Sequence, residues 1–356
     1  MKLYLLPLFV SLLLFSSCNF QSYDTGKSND SDFQIVDDPD ISTDEDVSDD
    51  IIDPDNINDE NTPDNENEPD EDLVTDPEPD DFVAPDEDLP EITVTIGTYN
   101  LKNFFDTVCD SGTDETGNCK DMEVLSTSEF NAKVNATATS IRSIGSDIQI
   151  IVEIEDETSG DALFDKLSDI YDEVYMAVRY EGSQNLGVLT KGTITKVINH
   201  GTETDFTREF PEIHISYLGK SIIVFPAHFK AKSNDDPERR LREATKAAEI
   251  INEVAADNPD SLIVMGGDLN DEPGSDPLNA LDSADLLRTA SDLSTNEQCT
   301  YNYNGCESID HIYLSLAGSG NYISKSAKVI KDGKCGNGSY CLGSSDHAAI
   351  KADFKF

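Results

Sequence analysis

Carboxylates, amides and imidazoles recur at the edges of apolar runs in this sequence. Asn100 ends ITVTIGTYN, Glu153 sits inside DIQIIVEIE, and His228 follows SIIVFPA. Asp268 and Asn270 follow SLIVMGG, Asp310 stands in IDHIYLS, and Asp346 with His347 precedes AAI. If each run is a buried strand, its polar residue is held rigidly at one solvated rim of a sheet, read here as the C-terminal one. Hard oxygen donors and imidazoles gathered there suit a divalent cation, Mg²⁺ or Mn²⁺, and acid–base work on a phosphate. Each group alone has a plainer reading. GDLND is compatible with a turn, His228 with a core histidine, and SDH with chance. Their joint occurrence, in this order, carries the signal.

The elements that must position these groups are legible from patterning. Alternating β-branched residues predict a strand over Ile92 to Asn100, and Asp147 to Glu155 reads as a buried strand. Short strands are expected at Leu186 to Leu189 and Ile194 to Ile198. Longer ones follow at Ser221 to Phe229, Ser261 to Asn270, Ser308 to Leu316 and Ala348 to Phe354. Phe130, Val134, Ala138 and Ile141 share one face of a helix over Ser128 to Ile144, which Gly145 ends. Asp236-Pro237 opens a second helix running to about Val254. Strands mixed with two long helices give an α/β domain over 92–356.

Six segments in order, TYNLKNFFD, IVEIED, PAHFKAK, GDLND, IDHIYLS and SSDHAAI, resemble the motifs of the endonuclease/exonuclease/phosphatase superfamily. This is the fold of pancreatic-type deoxyribonucleases and abasic-site endonucleases; Val152 stands where a Gln is usual. The resemblance covers Ile92 to Phe356 and implies a four-layer α/β sandwich, two packed mixed β-sheets flanked by helices. It implies Glu153 as the metal ligand, with Asp346 adding a second contact. His347, oriented by Asp310, would activate water or stabilise the pentacovalent phosphorus. Asp268 or His228 would handle the leaving-group proton, and Asn100 and Asn270 would position phosphoryl oxygens. Apart from the resemblance, Arg239, beside Arg240 and Arg242 at the second helix's start, reads either as part of an ordinary charged helix face or as a substrate phosphate clamp. His311 points away from Asp310 and is assigned a structural role.

The remaining sequence speaks to placement. Residues 1–18 read as a signal peptide, with Lys2, an apolar run from Leu3 to Phe15, and a lipobox-like Ser16-Ser17-Cys18. Thirteen apolar residues are too few to span a bilayer, so Cys18 is expected to carry a lipid anchor. Residues 19–91 form an acidic tether: Asp24 to Glu91 holds 29 acids and one Lys, too little apolar surface to offset ordering entropy. The other six cysteines fall into close pairs, Cys109/Cys119, Cys299/Cys306 and Cys335/Cys341. Nearest-neighbour disulfides are the simplest of their connectivities and fit an oxidising compartment. The chain is thus expected at an outer membrane or cell surface, as a monomer without an evident protein partner.

The charge sets a constraint on substrate. Net charge is −47 overall, which excludes a module that binds nucleic acid by bulk electrostatic attraction. Nucleic acid is nonetheless the expected substrate, approached through local cations such as Lys230, Lys232 and Arg240. Two alternatives stay open: a phospholipid or inositol-phosphate phosphodiesterase, and a catalytically inactive binding protein on the same fold.

Overall fold

The apolar runs alternate between two interiors, and this alternation builds the architecture. The computed structural model describes residues 91–110, 115–119, 124–179, 184–202, 204–302, 305–333 and 341–356. The signal segment, Cys18, the acidic tether up to residue 90 and Cys335 lie outside the described residues. The first sheet contains β1 (Thr93–Phe104), β2 (Ile148–Ile154), β3 (Glu173–Ala177) and β4 (Asn185–Thr190). The second contains β5 (Thr193–Asn199), β6 (Pro211–Tyr217), β7 (Lys220–His228), β8 (Leu262–Asp268), β9 (Leu286–Arg288) and β10 (Asp310–Ser315). Three strands then return to the first sheet: β11 (Asn321–Tyr322), β12 (Lys328–Ile330) and β13 (Ala349–Lys355). The orders are β11-β13-β1-β2-β4-β3, with β12 on β13, and β5-β6-β7-β8-β10-β9.

Val94, Ile96, Ile148, Ile150, Ile222, Val224, Leu262, Val264 and Ile312 pack together between the sheets. Their odd-parity neighbours face helices. Tyr99, Leu101 and Ile151 meet α1 (Thr127–Ile144) and α2 (Glu157–Asp165). Ile223, Phe225, Ile263 and Met265 meet α3 (Pro237–Asp257) and α4 (Asp276–Asp282). A strand covered on both faces must be apolar throughout, which is why these runs carry no polar alternation. The result is the expected helix–sheet–sheet–helix sandwich. The helix ends follow local chemistry: Ser126 and Glu129 form a capping box on α1, and Gly145 caps it in the left-handed region at φ 67°. Asp236 accepts from the Arg239 amide at the start of α3, with Pro237 in the first turn.

Parity also explains the rim. Asn100, His228, Asp268 and Asp310 continue the inter-sheet face of their strands, so all four converge at one end of the gap between sheets. One expectation needs correcting. Asp310 opens β10 and His347 precedes β13, so both sit at strand starts; β10 runs antiparallel to β8, and β13 antiparallel to β1. An antiparallel strand begins where its neighbour ends, and one rim collects them all.

Gly267 shows how tightly β7 and β8 approach at that rim. A Cβ there would lie 1.7 Å from the Ala227 carbonyl oxygen. Gly267→Ala should therefore cost about 2–3 kcal/mol, read as a fall in the midpoint of urea unfolding at unchanged slope.

Candidate active site

Asp268 lies at the centre of the constellation. Its Oδ2 accepts from Asn100 Nδ2 at 3.0 Å and lies 3.8 Å from His228 Nε2 and 3.9 Å from His347 Nε2. Its Oδ1 accepts from the Asn270 amide at 2.9 Å. The second Nδ2 proton of Asn100 goes to Glu153 Oε1 at 2.9 Å, and Glu153 Oε1 is 3.9 Å from His228 Nε2. His347 Nδ1 pairs with Asp310 Oδ2 at 2.9 Å, which leaves Nε2 directed at Asp268.

Glu153 reaches this group through a backbone device. Parity alone would send it toward α1, but β2 breaks register against β4 between Val152 and Ile154. Glu153 takes a left-handed φ of 62° there, and its Oε2 accepts from the Asn103 amide at 2.9 Å. Lys102, Asn103 and Asn270 are also left-handed, so unusual backbone is concentrated at this rim. Such residues cost on the order of 1 kcal/mol or more each, and persist where the surroundings over-determine them.

The site is not solvated as the sequence suggested. Asp268 is 2% exposed, His228 4% and His347 6%. Burial, with the Asp310 carboxylate near, pushes the Asp268 carboxyl up to about 7. Burial holds His228 well below the ordinary imidazole value, reinforced by Arg208 and His347. Burial alone would depress His347 too, but the carboxylates of Asp310, Asp268 and Glu153 lift it to about 10. The two imidazoles thus favour opposite protonation states.

This chemistry fits a hard divalent cation. Glu153, Asp268 and His228 each present a ligand atom within 4.8 Å of the others. Buried carboxylates outnumber the cations facing them, and among the described residues no Lys or Arg pairs with Asp268 or Glu153. An added positive charge would relieve that excess.

Of the other expected residues, Asp346 and Asn270 line the cavity, and Asn100 and Arg239 are not among its described lining. Asp346 lines the cavity but pairs with Lys102 at 3.1 Å and joins none of the ligand groups found among the described residues. Asn100, expected to position phosphoryl oxygens, spends both amide protons on Glu153 and Asp268. Asn270 lines the cavity, with Nδ2 donating to the Phe229 carbonyl at 3.2 Å. Arg239 is not among the described residues lining it; Nη1 donates to the Thr204 carbonyl and Nε lies 3.7 Å from Glu243. Arg240 is held by Asp235 and Asp271. These arginines start a helix whose first turn is committed to its own neighbourhood.

Other residues could not be found from the sequence. Arg208 donates to the carbonyls of His228 and Phe229 and to Gln184, bracing the tip of β7. Tyr301 packs its ring 4.6 Å from that of His347. It lies in the loop closed by Cys299–Cys306, where Thr300 Oγ1 accepts from the Asp310 amide and its carbonyl from Ala348. Ser345 Oγ links the Asn100 carbonyl to the His347 amide. The spacing of the cysteines was the one available signal for this loop. Cys109–Cys119 is also formed; Cys341 is disulfide-bonded.

His311 faces the helix side, fully buried, with Nε2 3.0 Å from the Asp271 carbonyl. Burial lowers it to about 4. A histidine whose folded value lies below its unfolded one contributes stability above about pH 6.5, lost as pH falls toward 4. His311→Gln should flatten that acid limb by on the order of 2 kcal/mol and leave turnover intact, checked by urea titrations across pH 4–7.

The cavity over these groups, about 610 Å³, is lined also by Lys102, Lys232, Tyr301 and Ile309. The profile of the Endonuclease/Exonuclease/phosphatase family matches residues 95–334. No curated protein matches the sequence. Among solved structures, truncated Caenorhabditis elegans TDP2 superposes with a TM-score of 0.53 at 18% identity, covering 74% of this chain and 98% of its own. D. rerio TDP2 complexed with single strand DNA product gives 0.51 at 12%, covering 74% and 99%. An endonuclease/exonuclease/phosphatase family protein from Bacteroides thetaiotaomicron gives 0.52 at 13%, covering 75% and 99%.

Proposed function

The chain belongs to the Endonuclease/Exonuclease/phosphatase family, and from that premise we propose that this metal-dependent phosphodiesterase-type hydrolase is a nuclease. It would cut DNA or RNA backbones while exported and held at a membrane by a lipid on Cys18. The observation that carries the chemistry is a single buried carboxylate, Asp268, faced by Asn100, His228 and His347. Glu153, with Asp268 and His228 adjoining, would hold Mg²⁺ or Mn²⁺, which when bound polarises a phosphate oxygen and offsets its charge.

The residues of the chain divide the remaining work. Asp268, whose Oδ2 faces both imidazoles, accepts a proton from the attacking water. His347, kept cationic by Asp310, hydrogen-bonds from Nε2 to a phosphoryl oxygen as charge builds there and passes its proton to the departing alkoxide. His228, held neutral, orients groups at the leaving side, and Asn100 is a positioning residue that keeps two carboxylates in register. Lys232 on the cavity wall, with Lys102 paired there to Asp346, supplies cations for a polyanionic backbone despite the acidic chain. A fold relative that holds single strand DNA product supports the same substrate class.

Incubating the full chain with supercoiled plasmid, RNA, sphingomyelin and inositol phosphates tests this. Nicking or degradation of nucleic acid that needs Mg²⁺ or Mn²⁺ and stops with EDTA is expected. Hydrolysis confined to the lipid or inositol arms would overturn the nuclease reading. For placement, Cys18→Ser should release the protein from the membrane fraction, and retention there would refute the lipid anchor.

A further inference from the structure

A second carboxylate group lies where the tails of β1 and β2 leave the first sheet. One oxygen each from Asp106, Glu155 and Asp156 fall within 4.8 Å of one another, and the group shares no residue with those around Asp268. Asp106 is 5% exposed and Glu155 1%. The two tails are already joined: the Glu155 amide donates to the Phe104 carbonyl, and Glu155 Oε2 accepts from the Asp106 amide. Asp106 Oδ1 accepts from Val108, and Asp156 Oδ1 caps α2 through Ser159. Glu155 Oε1 is different. It is buried with no donor. Among the described residues no Lys, Arg or His pairs with any of the three.

A buried carboxylate oxygen requires a donor or a cation, and the charged groups nearest Glu155 are themselves carboxylates. We propose that Asp106, Glu155 and Asp156 hold a divalent cation of the calcium type, distinct from the catalytic one. An all-oxygen set of unequal side chains from two tails suits calcium's flexible coordination better than the strict octahedron of magnesium. The bound ion would clamp the β1 tail to the β2–α2 turn. Glu155 follows Glu153 by two residues and Asp106 follows Asn100 by six, so the clamp would steady the segments that carry both site residues.

Thermal unfolding of the EDTA-stripped full chain tests the site, in a Glu153→Gln background that weakens catalytic metal binding. CaCl₂ at a hundredfold excess over Kd should raise Tm by roughly 5 °C or more. Adding Glu155→Gln or Asp156→Asn should remove most of that rise. Both amides are near-isosteric, and Asn caps helices as Asp does; should Glu155→Gln fail the far-UV check of folding, Asp156→Asn decides alone. A calcium rise that survives both variants would place the ion elsewhere, on the acidic N-terminal residues or the catalytic group. No rise up to about 10 mM CaCl₂, beyond the range of ordinary extracellular sites, would mean that Glu155 shares a proton with its neighbours instead. Either result overturns the proposal.

Discussion

Asp268→Asn should lower kcat/KM on a phosphodiester substrate by roughly 10²–10⁴-fold, the scale of a lost acid–base group, while the metal-free protein becomes more stable. Both halves follow from one fact. The carboxyl is buried beside Asp310 and raised to about 7, above the ordinary unfolded value near 4. An acid shifted upward contributes stability below its unfolded value and loses it as pH rises through its folded value. At pH 8 the ionised group is therefore a burden on the fold, and an amide of the same shape removes it. The substitution should raise Tm by several degrees at pH 8 and hardly at all at pH 4. A variant equally inactive but less stable at pH 8 would show that Asp268 holds the rim together rather than being strained there. A solvated rim, as expected from the sequence, would leave melting indifferent to this substitution; burial makes it sensitive.

How much of the site the sequence revealed depended on whether parity or backbone strain decided a residue's direction. His228 and Asp268 end β7 and β8, and Asn100 lies four residues before the end of β1; the inter-sheet faces of these strands run Ile222–Val224, Leu262–Val264 and Val94–Ile96. Counting by twos from those pairs reaches all three, and the fold class follows from the same runs. Glu153 defeats that count, since only the left-handed bulge turns it inward, and nothing in the composition of DIQIIVEIE announces a bulge. Its place near the end of an apolar run and its motif singled it out, but not the direction of its side chain. Long-range partners were the least legible. Arg208 reaches the backs of His228 and Phe229 from a loop 20 residues away. Arg239, nearer in sequence to those residues, is spent on Thr204 and Glu243. Proximity along the chain pointed to Arg239, whose place at a helix start directs it to local partners. Small edge strands such as β9, β11 and β12, two or three residues each, are held by their neighbours and have no periodicity to read.

Asp310→Asn should be nearly as damaging, roughly 10²-fold or more in kcat, although Asp310 is a positioning residue that acts through His347. Asp310 accepts the Nδ1 proton, and its charge is first among the influences that lift His347 against the pull of burial. An amide of the same shape can turn its NH₂ toward Nδ1, which would then accept and force the proton to the other nitrogen. Loss of the charge also leaves burial free to depress the imidazole. The signature is in the pH profile. With Asp310 present, loss of the His347 proton should not limit activity until the alkaline limb, near the value of about 10 to which that imidazole is lifted. In the Asp310→Asn variant the residual activity should fall at a limb several units lower, and the imidazole proton resonances of His347 should titrate with it. A merely structural role would reduce activity evenly at every pH. Asp310→Glu is the stricter control: it restores the charge on a longer arm, so the alkaline limb should recover further than the rate does. An unchanged limb in Asp310→Asn would show that His347 draws its proton affinity from Asp268 and Glu153 instead, and the division of labour between the two imidazoles would have to be reassigned.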